Sequence, residues 1–312
     1  WSSDVCSSDL YIQIQHDDYW QDKTIENTIE LNDELHKSVE NIDNVNLTVP
    51  RLQSFALASA GEHTKGAMIV GTKPSAENQM TSLKQKLVKI RLTKEAIEAI
   101  KNEGVPDDVA EKLSERENAS YSNISKMEME LGLSEDKKKY SDIIVKHATF
   151  DGKYLTENDE GVLVADRLAK YLRLSINDTL IIFGQGYHGV TAAGKYPIRG
   201  IIKFPSPQLD NTMIYMTLPN AQTLFGAENR ISSLALNLND KSNAAVQKTA
   251  DKIKSSIDTE KYAVLDWREM NKELVQQIQS DNQSGKLMLG ILYLIIAFGV
   301  FGTVLMMIAE RK

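Results

Sequence analysis

The chain has 312 residues, enough for two domains and a sizeable core. Apolar residues make up 42% and charged residues 25%, which is too apolar for a disordered chain. A net charge of -7 leaves no electrostatic footprint for nucleic acid, so that class of partner is set aside.

Residues 1–10 read WSSDVCSSDL and resemble the translated read-through of a common sequencing adapter, so this stretch is expected to be an artefact. Natural sequence is then expected from Tyr11. The only cysteine, Cys6, falls in this stretch, and a lone cysteine allows no disulfide framework within the chain. A signal peptide or membrane span ahead of Tyr11 remains open.

From Tyr11 to Gln15 the pattern alternates as a half-buried strand does. Leu31, Leu35, Val39 and Ile42 recur at helical spacing, and Val45, Leu47 and Val49 alternate up to Pro50. The same order returns later. Leu234, Leu236 and Leu238 alternate, Val246, Ala250, Ile253 and Ile257 form a helical stripe, and residues 262–265 close as a strand. Two such strand–helix–strand units commonly share one sheet with helices on one face. Residues 11–58 and 231–265 are therefore expected to form one discontinuous domain, with residues 59–230 inserted between them.

The inserted part is expected to be rich in strands in its second half, at residues 161–164, 179–183, 196–204 and 213–216, with a short helix over 167–172. Residues 82–146 have another texture, rich in Lys and Glu. Ile97 and Ile100, then Val109 and Leu113, lie on helical stripes, and Gly104-Val105-Pro106 separates them. This reads as a helical insertion whose charges form a solvated face. A helix is expected over residues 266–286, with Met270, Leu274 and Ile278 on one stripe, forming either a stem or a flexible linker into the next segment.

Residues 287–309 carry no charge. As a helix they would span roughly 35 Å, slightly more than the hydrocarbon core of a bilayer. Leu287, Leu289, Ile291, Leu292, Leu294, Ile295, Ile296 and Phe298 each favour insertion by about 0.3–0.6 kcal/mol near the bilayer centre. A transmembrane helix is expected here, with membrane lipid as its surroundings. Gly290, Ala297, Gly299, Gly302 and Thr303 supply small positions at which another helix could approach. Glu310, Arg311 and Lys312 come directly after, and two basic residues on that side favour the cytoplasm there. Residues 11–286 are then expected outside it.

Several motifs lack the context their chemistry requires. Residues 184–189 fit G-x-G-x-x-G, yet a strand rather than a helix is expected next, so no helix N-terminus would receive a pyrophosphate. They read as a Gly-rich loop in which Gly supplies positive φ. Residues 189–196 approach a phosphate loop, but Tyr196 stands where Ser or Thr would bind magnesium, and Pro197 forbids the helix. His16, His36, His63, His147 and His188 show no zinc spacing. No catalytic, metal or cofactor residues are expected, and the chain reads as a non-enzyme.

Residues 161–180, GVLVADRLAKYLRLSINDTL, resemble a signature of FtsX/MacB-type ABC transporter permeases: a strand, then a short helix ending L-x-L-x-x-G-D. Asn177-Asp178 stands in place of Gly-Asp, and Asn tolerates the left-handed turn better than most residues. The order of elements from Tyr11 to Ala309 is also similar to that family, as is Glu310-Arg311-Lys312, which matches the start of the motif leading into the coupling helix. The resemblance implies an α+β periplasmic core of the MacB type, with Porter and Sabre subdomains, followed by a transmembrane helix. It also implies the bacterial inner membrane, an ABC ATPase subunit, and a second permease subunit, identical or paralogous. A lipoprotein or periplasmic adaptor would be a further partner. The implied function is coupling of cytoplasmic ATP hydrolysis to movement of the periplasmic domain, in export or lipoprotein release. A membrane-anchored receptor or scaffold is the alternative, and a tethered hydrolase would need a catalytic constellation that the sequence does not offer.

Overall fold

A computed structural model of the chain describes residues 11–31, 33–270 and 272–310. The adapter-like stretch, with Cys6, lies outside the described residues.

Nine strands form the principal sheet: β1 (Ile12–Gln15), β2 (Val45–Ala60), β3 (His63–Thr72), β4 (Val162–Ala165), β5 (Thr179–Gln185), β6 (Thr191–Ile202), β7 (Met213–Thr217), β8 (Ser233–Leu238) and β9 (Ala263–Asp266). Their order is β9-β1-β8-β2-β3-β7-β4-β6-β5, and β5 also pairs with β2. That last pairing closes six strands into a barrel, while β9, β1 and β8 extend from β2 as an open wing. The fold is α+β.

In the wing, β1 lies antiparallel between β9 and β8. Helices α1 (Asp33–Glu40) and α9 (Asn243–Ser256) connect strands that are not neighbours, so the two strand–helix–strand units interleave. One face of the wing buries Leu35, Val39, Val246, Ala250 and Ile253 against Ile12, Ile14, Leu234 and Leu236. Each buried Leu, Ile or Val among them contributes about 1.5–3 kcal/mol on burial. The opposite face is covered too, by a smaller cluster of Val49, Met80, Ala235 and Met270. β1 is therefore buried along its whole length, not half-buried as its alternation suggested. Gln13 and Gln15 sit on that second face, and Gln13 Nε2 donates to Gln15 Oε1 at 2.6 Å.

β2 runs on through Pro50, where the sequence pattern suggested an end. Pro50 opposes Leu234 of β8, and the register with β3 begins only at Arg51↔Thr72. The Pro50 carbonyl points toward Thr72, 3.3 Å from its Oγ1, so the imide nitrogen faces the end of β3 and removes no ladder bond. The expected boundary at 58/59 thus falls inside one strand that belongs to wing and barrel alike.

The barrel closes through Leu57↔Phe183, Ala58↔Ile182 and Ser59↔Ile181. A six-stranded barrel has a narrow interior, and Ala56, Ala58, Ala67 and Ala192 supply the small inward side chains it needs. Helices α2 (Pro74–Thr81), α7 (Asp166–Tyr171) and α8 (Leu218–Phe225) pack outside it. Gly71 of β3 lies so close to α8 that a Cβ there would collide with Ala221. In the turn before β5, Asn177 takes φ 69° and Asp178 Oδ2 accepts the Ser175 N–H at 2.7 Å. The left-handed turn survives with Asn in place of Gly.

Four helices project from the barrel: α3 (Lys94–Asn102), α4 (Asp107–Glu115), α5 (Ile124–Leu131) and α6 (Ser141–Ala148). Thr93 and Asn123 cap α3 and α5 through Oγ1 to Ala96 N–H and Oδ1 to Lys126 N–H. Ile97, Ile100, Val109, Leu113, Met127, Leu131 and Ile144 form a core of their own. This separate core runs from Ile90 to Ala148, whereas Leu83 and Leu87, inside the expected 82–146 span, belong to the main core.

Asp210, at the end of a short helical turn, is buried, and its Oδ1 accepts the Phe204 N–H at 3.0 Å. Burial pushes its carboxyl above the usual range; the Phe204 bond opposes this and the Asp166 charge adds to it. A raised carboxyl pKa means the folded state holds its proton more tightly than the unfolded state does. The resulting stability is fully present below the unfolded pKa and is lost as pH rises through the folded one. Asp210→Asn, which keeps the Oδ1 acceptor, is therefore expected to be more stable than the parent at pH 7. Its advantage should shrink as pH falls toward the ordinary carboxylate range. Denaturant midpoints measured across that pH range check this.

Candidate membrane anchor and transmission site

The end of β9 launches the last helices through a reciprocal cap. Asp266 Oδ1 accepts the N–H of Arg268 and of Glu269, each at 2.8 Å, and Glu269 Oε2 accepts the Asp266 N–H at 2.9 Å. The expected stem start at Asp266 is thus a strand end and cap, visible in the sequence as D-x-x-E. A short helix α10 (Trp267–Met270) comes next, and then α11 (Lys272–Glu310), 39 residues without a break. At about 1.5 Å per residue, α11 is roughly 58 Å long.

Met270, 5% exposed, seats α10 against Val49 of β2, Met80 of α2 and Ala235 of β8. Trp267 packs on the same cluster. The helix leaving the body is therefore wedged where wing, barrel and α2 meet. The side chains of Leu274 and Ile278, expected on the Met270 stripe, lie outside the described residues.

Gln283–Glu310 is long and apolar enough to cross a membrane, and its most apolar stretch has a mean hydropathy of 2.6. The large apolar side chains from Leu287 to Ile308 are 41–75% exposed, and none of this window is buried in the protein. A core helix of a soluble protein would be covered, so burial against the protein does not explain the sequence. The small residues do not form one seam. At 3.6 residues per turn, Gly290 and Ala297 share a face, Gly299 and Thr303 lie roughly opposite, and Gly302 falls between. Thr303 Oγ1 already donates to Val300 O at 2.7 Å within the helix. Glu310 is the last described residue and is exposed, while Arg311 and Lys312 lie outside the described residues.

The Gly-rich loop is the β5–β6 hairpin, and the segment after it is strand, including Pro197, which opposes Thr179. Positive φ is carried by His188 (53°) and Gly189 (75°). Gly184 and Gly186 instead permit close approach, since a Cβ on Gly186 would meet the Phe225 carbonyl. His188 N–H donates to Glu26 Oε1 at 2.8 Å. His16 caps a turn by accepting the Asp18 N–H, His36 pairs with Glu40, His147 with Glu103, and His63 packs edge-on against Tyr171. Among the described residues no group of three or more His, Cys, Asp or Glu is arranged to hold a metal.

One surface was not foreseen. Phe55 (61% exposed) and Leu57 of β2, with Ile181 and Phe183 (52%) of β5 and Val190, form an apolar strip on the outside of the barrel beside Gly66. The signal lay in β2 itself, where Phe55 and Leu57 alternate with Ala56 and Ala58. Ala56 and Ala58 take the inward positions of this stretch, so Phe55 and Leu57 face outward.

Two solved structures resemble this fold. One is the periplasmic region of MacB from Actinobacillus actinomycetemcomitans, at 12% identity and a TM-score of 0.44, covering 86% of this chain and 92% of that one. The other is the extracellular domain of the noncanonic ABC-type transporter YknZ from Gram-positive bacteria, at 10% identity and a TM-score of 0.43, covering 82% of this chain and 98% of that one. No family model and no curated protein matches the chain.

Proposed function

We propose that this chain is the extracytoplasmic body and an adjoining membrane helix of an ABC-transporter permease subunit. In this reading α11 crosses the bacterial inner membrane and carries movement, driven by ATP hydrolysis in a separate cytoplasmic subunit, to the outer body. The observation that carries it is the 39-residue helix α11, which follows α10 with its buried seat at Met270 and leads into an exposed, uncharged span. On this reading α11, which holds no proline, passes displacement at the membrane to the wedge between wing and barrel. The 161–180 signature and its left-handed Asn177 support the same reading.

On this proposal residues 11–58 and 231–265 make a Porter-like part centred on the wing and residues 59–230 a Sabre-like part centred on the barrel, with β2 shared between the two. The two small faces of α11, one with Gly290 and Ala297 and one with Gly299 and Thr303, would meet different helices, including those of an identical or paralogous second permease. Glu310, with Arg311 and Lys312, would begin the segment that leads to the ATPase. A lipoprotein or periplasmic adaptor would be the outer partner, and the movement would serve export or lipoprotein release.

The experiment is site-directed labelling in cells making the chain in a Cys6→Ser background. A cysteine at the exposed Lys195 is expected to react with a membrane-impermeant maleimide in intact cells. Reaction only after the inner membrane is opened would reject the proposal.

A further inference from the structure

We propose that the four-helix insertion is an arm whose docked orientation on the barrel is fixed by one buried carboxylate, Asp166. The insertion has its own core, separate from that of the barrel and wing. It joins the barrel through a narrow two-stranded neck. Val88 N–H donates to Ile201 O and Lys203 N–H to Lys86 O on the way out, and Lys153 N–H donates to Arg199 O on the way back. Between these tethers, Ile90 and Thr149 face each other in a single bridge. A neck of that width constrains position more than angle.

What fixes the angle is polar. Arg91 Nη2 donates to Asp166 Oδ1 at 2.6 Å, and Ser120 Oγ donates to the same oxygen at 2.9 Å. Both come from the insertion, from the short pairing of Ile90–Arg91 with Ser120–Tyr121. Asp166 belongs to the barrel side, as the first residue of α7, and is 2% exposed. Its other oxygen, Oδ2, accepts from Lys170 Nζ at 2.6 Å. Lys203 Nζ, just past β6, donates to Ser120 O at 2.6 Å. The nearby carboxylate of Asp210 is engaged by Phe204 N–H and by Arg167 at 3.7 Å. One anion thus stands among Arg91, Lys170 and Lys203. Without it those cations face one another across the junction with only Asp210, already engaged by Phe204 N–H and Arg167, nearby, and the docked pose loses its main attraction. The aromatic contacts there, Arg91 over Phe150 and Lys203 over Tyr121, hold cations rather than apolar surface and do not replace it. The Ile90–Ala148 core does not include Asp166, so the arm keeps its own fold when the latch is gone.

The test uses the full chain in detergent, in a Cys6→Ser background with spin labels at Glu98→Cys on the insertion and Lys195→Cys on the barrel, both exposed. The parent should give one narrow distance. Asp166→Ala and Arg91→Met should each broaden it. In both variants hydrogen exchange should quicken by about tenfold or more at residues 87–91 and 149–153, with Ile97, Ile100, Val109 and Leu113 still protected. Arg91→Met keeps the proposal testable if Asp166→Ala fails to fold. A distance that stays narrow in both variants overturns the proposal. So does loss of protection throughout the insertion, because Asp166 would then belong to a shared core.

Discussion

Arginine at both Ile296 and Val300 is expected to release the chain from the membrane fraction. Both positions lie within a turn of the centre of residues 287–309, too far from either interface for an arginine to reach headgroups comfortably. Each exchange replaces a gain of about 0.3–0.6 kcal/mol by a cost of about 2.5–3.5 kcal/mol, so the pair shifts insertion by roughly 6–8 kcal/mol. The thirteen Leu, Ile, Val and Phe side chains of the span supply about 4–8 kcal/mol together, a gain the two exchanges cancel. Alkaline carbonate extraction followed by immunoblotting measures the outcome. Gln283→Arg, at the polar start of the segment, should leave the chain in the pellet. A doubly substituted chain that still resists extraction would mean that something other than this helix holds it there.

Glu77→Ala is expected to be the most damaging single truncation in the folded body. Glu77 is fully buried, and Arg51 reaches it with two bonds, Nε to Oε2 at 2.9 Å and Nη2 to Oε1 at 2.8 Å. Thr72 Oγ1 and Thr81 Oγ1 donate to the same carboxylate at 3.2 and 3.1 Å. The pair ties β2 to α2 where the wing meets the barrel. Removing the carboxylate takes both charge-assisted bonds from a guanidinium in a site that is 8% exposed, at a cost of about 3–5 kcal/mol. For a body of this size that lowers Tm by about 10 °C. The double replacement Arg51→Met with Glu77→Leu removes both charges and should recover most of the loss, since buried ion pairs and matched apolar packing often balance. Thermal unfolding of the three variants decides it. A Glu77→Ala melting point within a degree or two of the parent would show that the pair adds nothing.

How far the sequence revealed the fold depends on the range of the interactions. The wing was legible because its signals are local: Leu234, Leu236 and Leu238 alternate, and Leu35 with Val39 and Val246 with Ala250 and Ile253 mark helical stripes. The span at 287–309 was legible for the same reason. Barrel closure was not, because β2 meets β5 more than a hundred positions along the chain and neither strand announces its partner. Pro50 read as a terminator since a central strand seldom holds one, and only the late start of the β3 register makes it harmless. α2 was missed because PSAENQMT has little apolar periodicity, its place being set by Glu77 and Met80. Asp166 drew no notice within the 161–180 signature, because its partner Arg91 comes from the distant helical insertion. The start of the last helices was partly visible: D-x-x-E marks the cap at Asp266, while the seat of Met270 depends on residues from β2, α2 and β8.

The outer border of β9 has a consequence for handling and for life in a crowded compartment. Of its outward amides at Tyr262, Val264 and Asp266, the outer two are already taken, by Asp258 O and by Glu269 Oε2. At the other extreme the strands close on themselves. The sheet thus offers stray extended peptides almost no rung to grip, and a truncated body ending before the apolar span should stay clear and unaggregated at concentrations where open-edged sheets gel or fibrillise.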